Sequence, residues 1–423
     1  MNDYSANPLL PIEYFVPDVE ARDFDGVLYL YGSFEKVKSG RGWNSCDDFH
    51  VFSSTDMINW TDHGVCFSVA DIKWANADGV WAPDCVCVNG KYYLYYCLPD
   101  GRCGVAVCDS PAGKFTDLGQ ISGVQGIDPA VLIDGNDKYL YWGQLDNVRV
   151  AKLKDNMTEI IESTIVQPLT VKEHAFHEGI SARKIGDKYY LVYTETVRHG
   201  NKATSQGYAV SDNPTSGFVY KNTIVDNFGC DPKTWNNHGS IQKYKGNWYI
   251  FYHRSTHCSE AFRQVCVEPI IIDANGDIKE VPITSSGASG AINANSKIPA
   301  YRACLLSGNA RIAVDENSDL GMSIVEIKDG DTATFRYLLF NGQKTVSVCA
   351  KADAKERVSG VRYQPPRVEL YVDGDYYQTV FIGGGKDFIE NKQAVKPIYG
   401  KHTLTLKFFG DFTNASLEKI RFE

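Results

Sequence analysis

Hydrophobic and polar residues alternate along many short stretches of this chain, and such alternation is typical of β-strands. The clearest stretch runs from His177 to Tyr193. It begins with a polar residue, Glu178, which we call the head residue, followed by a short strand and a Gly186-Asp187 pair. An aromatic-rich strand over residues 189–193 comes next. A Gly-Asp pair between two β-favouring stretches predicts a hairpin.

The same pattern occurs five times before residue 286. Each copy places a turn glycine 6 to 8 residues after a polar head residue, as Asp84–Gly90 and Asp18–Gly26 show. Repeats of roughly 40 to 50 residues that contain only strands are typical of propeller blades. The pattern therefore predicts a five-bladed β-propeller in residues 1–285, with the five head residues around one mouth of its central channel. These head residues are Asp18, Asp84, Asp128, Glu178 and His238.

The pattern changes after the fifth copy. Residues 286–298 are mostly small and polar, which predicts a linker. Beyond them, apolar and polar residues alternate with a period of two, as at 368–372 and 403–408. We predict a separate β-sandwich of the jelly-roll kind in residues 299–423. The fold class expected of the whole chain is all-β.

Composition and charge narrow the functional classes. With 43% hydrophobic and 22% charged residues, the chain has enough apolar side chains for a sizeable core. Its net charge of −9, without any basic stripe, argues against a nucleic-acid partner. No run of 18 apolar residues occurs, so we expect no membrane partner. No signal peptide is visible, which predicts a cytoplasmic protein, or a secreted one if a leader has been trimmed; the oligomeric state stays open.

The 12 cysteines are too sparse for a disulfide scaffold and include no CxxC pair. We expect buried free thiols rather than zinc ligands.

The head residues would gather several carboxylates around one channel. Paired carboxylates across a sugar-sized cleft perform glycoside hydrolysis, in which one donates a proton and the other activates water. We predict Glu178 as the acid, because Phe176 and His177 suggest a partly apolar flank that favours its protonated form. We predict Asp18 as the base, with Asp128 between them to hold the acid's ionisation and orientation. A separation of roughly 6.5 to 9.5 Å across the channel would give inversion.

Each candidate also has a structural interpretation. Asp18 and Asp128 both adjoin a proline and can equally be turn residues. Glu178 can be a solvated charge, and His238 a hydrogen-bonded core histidine. For Asp84 we expect a structural or supporting role. The shared place of all five in the repeat favours the functional interpretation.

Tryptophans are a second candidate feature of the predicted channel mouth. Trp43, Trp74, Trp81 and Trp235 all lie in predicted loops or at strand starts near it. Sugar rings stack on such indoles, and we expect Trp74 and Trp81 in particular to bind substrate. Packing between blades is the alternative role for each.

The chain resembles glycoside hydrolase family 43, the five-bladed propeller enzymes of plant cell-wall breakdown, over about residues 11–285. The resemblance rests on Val16-Pro17-Asp18, Trp81-Ala82-Pro83-Asp84, Gly126-Ile127-Asp128-Pro129, Glu178-Gly179 and Asn237-His238-Gly239-Ser240. It implies an inverting reaction, with Asp18 as the general base, Asp128 as the pKa modulator and Glu178 as the general acid.

The resemblance also implies binding roles. Arg263 looks like the family's sugar-binding arginine. His238 matches a histidine that in many members holds water or a calcium ion, and no cofactor is otherwise required. The Asn-His-Gly-Ser motif and the strand end at 252–256 look most like the arabinoxylan arabinofuranohydrolase and β-xylosidase branch.

The tail resembles carbohydrate-binding module family 6 at 368–374 and 402–406. Where such modules usually place a Trp after a Gly-rich turn, this chain has a Phe at 388. Because the tail contains no Trp, we expect it to buttress the propeller rather than to bind sugar.

These observations predict an inverting exo-glycosidase that removes terminal α-L-arabinofuranose or β-D-xylose from oligosaccharides or polysaccharides of xylan. Within the same fold, a galactofuranosidase or an endo-arabinanase is an alternative. A non-catalytic sugar-binding propeller is the alternative from a different class, because fold alone does not determine chemistry.

Overall fold

The computed structural model describes residues 5–36, 42–200, 202–356, 362–383 and 385–423. Within these ranges the chain is all-β, apart from one α-helical turn, α1 (Val171–His174), and short 3-10 helices. None of the described helices is long and apolar enough to cross a membrane. The 3-10 helices span Gly42–Ser45, Val69–Asp71, Leu145–Asn147, Glu162–Thr164, Gly287–Ser289 and Ala300–Arg302.

The described residues up to Ile270 form five antiparallel sheets, each built from strands that are consecutive in sequence. The first sheet consists of β1 (Glu20–Phe24), β2 (Val27–Tyr31), β3 (Asp48–Ser54) and β4 (Thr61–Ser68). The second consists of β5 (Trp81–Val88), β6 (Lys91–Cys97), β7 (Arg102–Cys108) and β8 (Thr116–Gln125). The third is β9 (Ala130–Asp134), β10 (Asp137–Trp142), β11 (Arg149–Lys152). The fourth consists of β12 (Phe176–Ile185), β13 (Lys188–Glu195), β14 (Ser205–Ser211) and β15 (Val219–Asp226). The fifth consists of β16 (Ser240–Tyr244), β17 (Asn247–Arg254) and β18 (Gln264–Ile270).

The five sheets form a closed ring. The first strand of each sheet contacts the first strand of the next, and β16 contacts β1 again. A hydrogen bond from the Ala21 amide to Ser240 Oγ (2.9 Å) joins the two ends of the ring. Closure packs the face of every sheet against a neighbouring sheet, while the edges of the first strands line the inside of the ring.

Five buried hydrophobic clusters lie between adjacent sheets, one at each junction of the ring. Tyrosines from the second strands fill many of these positions, among them Tyr31, Tyr95, Tyr141 and Tyr193, which are almost fully buried. Aromatic side chains bury large apolar areas, so this use of tyrosine stabilises the ring. The aromatic-rich strands of the sequence pattern are therefore the second strands of the sheets.

The predicted hairpins are confirmed in all five sheets, each with a two-residue loop that contains the turn glycine. In the first sheet, Asp25 and Gly26 both have positive φ (56° and 80°), as a type I′ turn requires. In the fourth sheet, Gly186 comes first in the loop with φ 61°, as in a type II′ turn.

The C-terminal strands form two six-stranded sheets. They are β19 (Ile292–Asn293), β20 (Ile298–Pro299), β21 (Leu305–Leu306), β22 (Arg311–Val314), β23 (Met322–Ile327), β24 (Thr332–Asn341), β25 (Thr345–Ala354), β26 (Arg367–Val372), β27 (Asp375–Phe381), β28 (Ile389–Ala394), β29 (Tyr399–Phe409) and β30 (Phe412–Phe422). One sheet has the order β19-β24-β29-β26-β27 with β21 beside β24; the other has β22-β23-β30-β25-β28 with β20 beside β30.

The two C-terminal sheets share one hydrophobic core, which includes Ile324 from one sheet and Phe335 from the other. Ala6 and Phe15 of the N-terminal segment also pack into this core, so the sandwich and the ring are in direct contact. Within the stretch predicted as a linker, β19 already pairs in parallel with β24.

Candidate active site

The first strands of four sheets share one backbone feature, a left-handed residue that lies six residues before the last residue of the strand. Asp18, Ala82, Asp128 and Gly179 occupy this position, with positive φ values of 58°, 43°, 57° and 67°. Glycine and aspartate adopt this left-handed conformation more readily than most residues. The local turn therefore suits the two aspartates and places them at the same end of the ring.

A cavity of about 490 Å³ opens at this end of the ring. Asp18, Asp128 and Glu178 all line it, so the structure brings the three predicted carboxylates together. The other lining residues are Trp43, Trp81, Pro99, Ile127, Gln144, His177, Trp235, Asn236, His238 and Arg263.

Glu178 reaches the cavity through an irregularity of β12. It lies one residue before the left-handed position, which Gly179 occupies, and the register with β13 shifts on both sides of it. Such bulges re-aim side chains. The Oε1 atom of Glu178 accepts a hydrogen bond from Asn236 Nδ2 (3.1 Å) and its Oε2 accepts one from Gln144 Nε2 (3.4 Å). His177 Nε2 lies 3.8 Å from Oε2.

Asp18 is buried beside cationic and hydrogen-bonding groups. Its Oδ1 accepts from Arg263 Nη1 (3.0 Å) and its Oδ2 from Ser33 Oγ (2.8 Å). The Nδ1 atoms of His238 and His253 lie 3.6 and 3.8 Å from Oδ1. Burial opposes ionisation, but Arg263, the two histidines and Ser33 outweigh it and hold the pKa of Asp18 below its ordinary value. Asp18 is therefore an ionised acceptor at neutral pH.

Asp128 has the opposite electrostatics. Burial, and then the neighbouring charges of Glu178 and Asp18, raise the pKa of Asp128 well above its ordinary value. Asp128 therefore keeps its proton to a higher pH than an ordinary aspartate does, in the same cavity as the Glu178 carboxyl group. The Asp128 amide donates to Cys97 Sγ (3.4 Å), which fixes the backbone at Asp128. The cavity thus combines a proton acceptor with a proton donor.

The cavity thus holds an ionised carboxylate at Asp18, a carboxyl group at Asp128 that keeps its proton, and the Glu178 carboxyl group. Paired carboxyl groups across a sugar-sized cavity are what glycoside hydrolysis needs. The sequence model described as glycosyl hydrolases family 43 matches residues 5–278. The chain belongs to this family. It is accordingly a glycoside hydrolase, as its resemblance implied.

Individual relatives agree with the assignment to family 43. A xylosidase/arabinosidase of Thermoclostridium stercorarium is 33% identical over 410 residues, which span 81% of this chain and 84% of that protein. Among solved structures, a GH43 β-xylosidase/α-arabinofuranosidase from a compost microbial metagenome, in complex with xylotriose in a calcium-free form, superposes with a TM-score of 0.59. It is 28% identical and covers 66% of this chain and 98% of its own.

A Bacillus subtilis family 43 arabinoxylan arabinofuranohydrolase, in complex with cellotetraose, is similar along nearly the whole chain. It covers 98% of this chain and 97% of its own, with a TM-score of 0.57 and 23% identity. The likeness in fold therefore extends through both the ring and the sandwich.

Three of the four predicted tryptophans line the cavity of this family 43 enzyme: Trp43, Trp81 and Trp235. The Trp81 indole N–H donates to the Trp43 carbonyl oxygen (3.2 Å), which joins two of them into one wall. Trp235 meets the His177 ring edge-on at 6.4 Å. These indoles give the cavity apolar walls of the kind that sugar rings stack against.

Two expectations about aromatic residues need correction. Trp74, predicted to bind substrate, is not among the lining residues; it packs between the first two sheets, under Arg102 (5.3 Å) and against Gly119 on β8, the outermost strand. Phe176, expected to flank the acid, lies in the core between the third and fourth sheets, edge-on to Tyr193 (5.4 Å). Both side chains lie at junctions between sheets, which the sequence pattern does not reveal.

Asp84 does not reach the mouth of the channel. It lies two residues beyond the left-handed position of its strand, which Ala82 occupies. Inside the ring it accepts hydrogen bonds from the Arg22 guanidinium (2.7 to 3.1 Å) and from the Val131 amide (2.7 Å). Its shorter distance to the turn glycine in the sequence, 6 residues rather than 8 for Asp18, was the available signal of this shift.

His238 lines the cavity with its ring against Gly179, where a Cβ atom would lie 2.7 Å away. Calcium takes about six to eight oxygen ligands. The carboxylate beside His238, that of Asp18, is already bound by Arg263 and Ser33. Nowhere in the described ranges are three or more His, Cys, Asp or Glu side chains grouped so that they could hold a metal ion. These residues do not fit the calcium ion that the resemblance suggested.

Glu35 and Asn236 are site residues that the sequence analysis missed. The Arg263 amide donates to Glu35 Oε2 (2.8 Å), and its Nε and Nη2 donate to Oε1 (3.0 and 2.9 Å). Glu35 thus fixes the guanidinium that binds Asp18. It lies outside the repeats, so nothing in the pattern marks it. Asn236 lies directly before the Asn-His-Gly-Ser motif, and extending that motif by one residue would have included it.

Proposed function

We propose that this protein is an inverting exo-glycosidase that hydrolyses terminal α-L-arabinofuranosyl or β-D-xylosyl residues of arabinoxylan or xylo-oligosaccharides. The observation that carries the proposal is the opposite electrostatics of Asp18 and Asp128 within one cavity. The substrate class is supported by relatives named xylosidase/arabinosidase and arabinoxylan arabinofuranohydrolase.

In the proposed mechanism, Asp18 accepts a proton from the attacking water while Glu178 donates one to the leaving glycosidic oxygen. Arg263 keeps Asp18 ionised, and Asp128, whose own pKa is raised, modulates the ionisation of the acid. Water attacks the face of the sugar opposite the leaving group, so the anomeric configuration inverts. General acid–base assistance of this kind contributes about 10²- to 10⁴-fold to the rate.

The shape of the cavity supports action at chain ends. Trp43, Trp81 and Trp235 bound it, so a terminal sugar has apolar walls while the rest of the chain extends to solvent. In the same proposal, residues 1–285 are a five-bladed β-propeller and 299–423 a jelly-roll domain like a carbohydrate-binding module. The stretch 286–298 connects them, and its strand β19 belongs to a sheet of the second domain.

The test compares Asp18→Asn and Glu178→Gln with the unchanged enzyme on aryl α-L-arabinofuranoside, β-D-xyloside and galactofuranoside. We expect each variant to lose about 10²-fold or more of kcat, with a melting temperature close to that of the parent. The exposed Asp109→Asn is the matched control and should keep full activity. Proton NMR of the first-formed sugar should show the inverted anomer.

Near-normal turnover in either variant, or a retained anomer, would overturn the proposal. Binding of the glycosides without turnover by the parent enzyme would favour a sugar-binding protein instead. Preference for the galactofuranoside would change the substrate and leave the mechanism intact.

A further inference from the structure

The loop between β17 and β18, residues 255–263, carries Arg263 and has an unusual backbone. Its residues His257, Cys258 and Phe262 have positive φ values of 64°, 51° and 55°. Such conformations cost non-glycine residues roughly 1–3 kcal/mol each and persist only where surrounding contacts hold them. The contacts that hold this loop therefore determine where the Arg263 guanidinium lies.

The C-terminal sandwich supplies one set of these contacts through β22, the edge strand of its sheet. The His257 amide donates to the Ile312 carbonyl (2.7 Å), and the Val314 amide donates to His257 Nε2 (3.2 Å). The imidazole thus takes the place that a carbonyl of a neighbouring strand would take. Burial, and then the charge of Arg311, lower the pKa of His257 to about 4, so the ring is neutral and Nε2 can accept.

Because Nε2 accepts, the ring proton is on Nδ1, which donates to Thr256 Oγ1 (2.8 Å). The Thr256 hydroxyl in turn donates to the Phe262 carbonyl (2.7 Å). Phe262 directly precedes Arg263, whose Nη1 donates to Asp18. A continuous series of hydrogen bonds and one peptide linkage therefore leads from the edge of the sandwich to the carboxylate in the cavity.

Aromatic packing reinforces the same connection. The rings of Phe15, His257 and Phe262 meet edge-to-face in all three pairs, with centroids 5.6 to 5.8 Å apart. Phe15 belongs to the core of the sandwich, and its carbonyl accepts from the Glu35 amide (2.9 Å). The trio thus links the loop of Arg263 to the segment of Glu35, the other partner of the guanidinium.

We propose that His257 is a positioning residue that, by binding the edge of β22, holds Arg263 against Asp18, so that the C-terminal sandwich sets the geometry of the base. The inference rests on the proposed role of Asp18. It gives the tail a function in catalysis that requires no sugar binding by the tail itself.

The test uses two variants of the full chain. His257→Leu removes both hydrogen bonds of the imidazole ring. Thr256→Val removes the hydroxyl that links His257 to the Phe262 carbonyl and keeps the shape of the side chain. Asp18 faces Arg263, His238, His253 and Ser33, and the carboxyl groups of Asp128 and Glu35 also lie near it. If the guanidinium is held less firmly, Asp18 should take up its proton at higher pH. We expect the acidic limb of kcat/KM to move up by about one pH unit and kcat to fall about tenfold or more.

Two further variants complete the design. His257→Gln offers an amide oxygen to the Val314 amide and should restore much of the profile. His402→Leu is the matched control, because this histidine lies within the sandwich and binds Asp373 and the Tyr399 carbonyl rather than β22. Its pH profile should equal that of the parent.

A lower melting temperature with the acidic limb and kcat unchanged would leave His257 only a structural role and overturn the inference. If His257→Leu does not fold, Thr256→Val decides by the same two measurements. Full activity in Asp18→Asn would instead show that the proposed function is wrong. An inactive Asp18→Asn together with parental pH profiles in both loop variants would refute the positioning role alone.

Discussion

At the scale of single residues, the site shows how neighbouring groups give two aspartates different pKa values. Asp18 and Asp128 have the same left-handed backbone and the same burial, yet one carboxyl has a lowered pKa and the other a raised one. The difference arises because Arg263 binds Asp18, whereas Asp128 faces Glu178. Environment, rather than residue type, assigns the acceptor and donor roles.

This difference predicts the effect of Asp128→Asn on the pH profile. Burial, and then repulsion from the charges of Glu178 and Asp18, raise the pKa of Asp128 well above its ordinary value. A neutral Asn removes that repulsion, so the acid should lose its proton at lower pH. We expect the alkaline limb of kcat/KM to move down by about one pH unit, while the acidic limb moves less. An alkaline limb that stays in place or moves up would contradict the proposed role of Asp128 in holding the ionisation of the acid.

Site residues could be predicted from the sequence where they occupy an equivalent position in the five repeats, and were missed or misjudged where they do not. Asp18, Asp128 and Glu178 were found because the repeat placed them in equivalent positions, and they meet in one cavity. Glu35 has no such marker, since its role comes from a long-range contact with Arg263. The role of Trp74 was misjudged for the same reason, because packing between sheets cannot be read from a local pattern.

At the scale of elements, register decides which head residues face the cavity. The left-handed position lies six residues before the strand end in each of the first four sheets. Asp84 lies two residues beyond it and faces the inside of the ring; Glu178 lies one residue before it and reaches the cavity only because β12 is irregular there. Hairpins could be predicted from turn glycines, and the short distance from Asp84 to its turn glycine signalled the shift of Asp84. The irregularity of β12 at Glu178 could not be predicted, because nothing in the repeated pattern marks it.

The irregularity of β12 predicts distinct outcomes for two glycine substitutions. Gly179→Ala would combine φ 67° with a Cβ atom 2.7 Å from the His238 ring, so the strand must shift and displace Glu178. Gly186→Ala has a similar φ of 61° but open space around it. We expect Gly186→Ala to lower the free energy of unfolding by about 1 kcal/mol with kcat unchanged. Gly179→Ala should lose more stability and about 10²-fold in kcat.

Urea denaturation and steady-state kinetics on the two purified variants test this prediction. Equal kcat in both would mean that the bulge does not position Glu178.

At the scale of the whole molecule, the ring could be predicted from the five repeats, but the means of its closure could not. Inside the ring, Glu20 binds Arg183 and lies 3.3 Å from Arg22, which binds Asp84. These groups come from the first, second and fourth sheets. The Val131 amide of the third sheet donates to Asp84, and Ser240 of the fifth receives the Ala21 amide. A buried polar network thus joins all five sheets, a long-range arrangement that no local pattern encodes.

The network predicts that Asp84→Asn destabilises the whole ring rather than the cavity. Removing one partner of a buried ion pair leaves the other charge uncompensated, which costs about 3 kcal/mol or more. Asp84 is almost fully buried, and Arg22 would keep only the more distant Glu20 as a carboxylate partner. We therefore expect a large loss in the free energy of unfolding in urea, with kcat per folded molecule nearly unchanged. Asp109→Asn breaks an exposed pair with Lys91 and should leave stability unchanged. Equal stability of the two variants would show that the ring closes through its hydrophobic junctions alone.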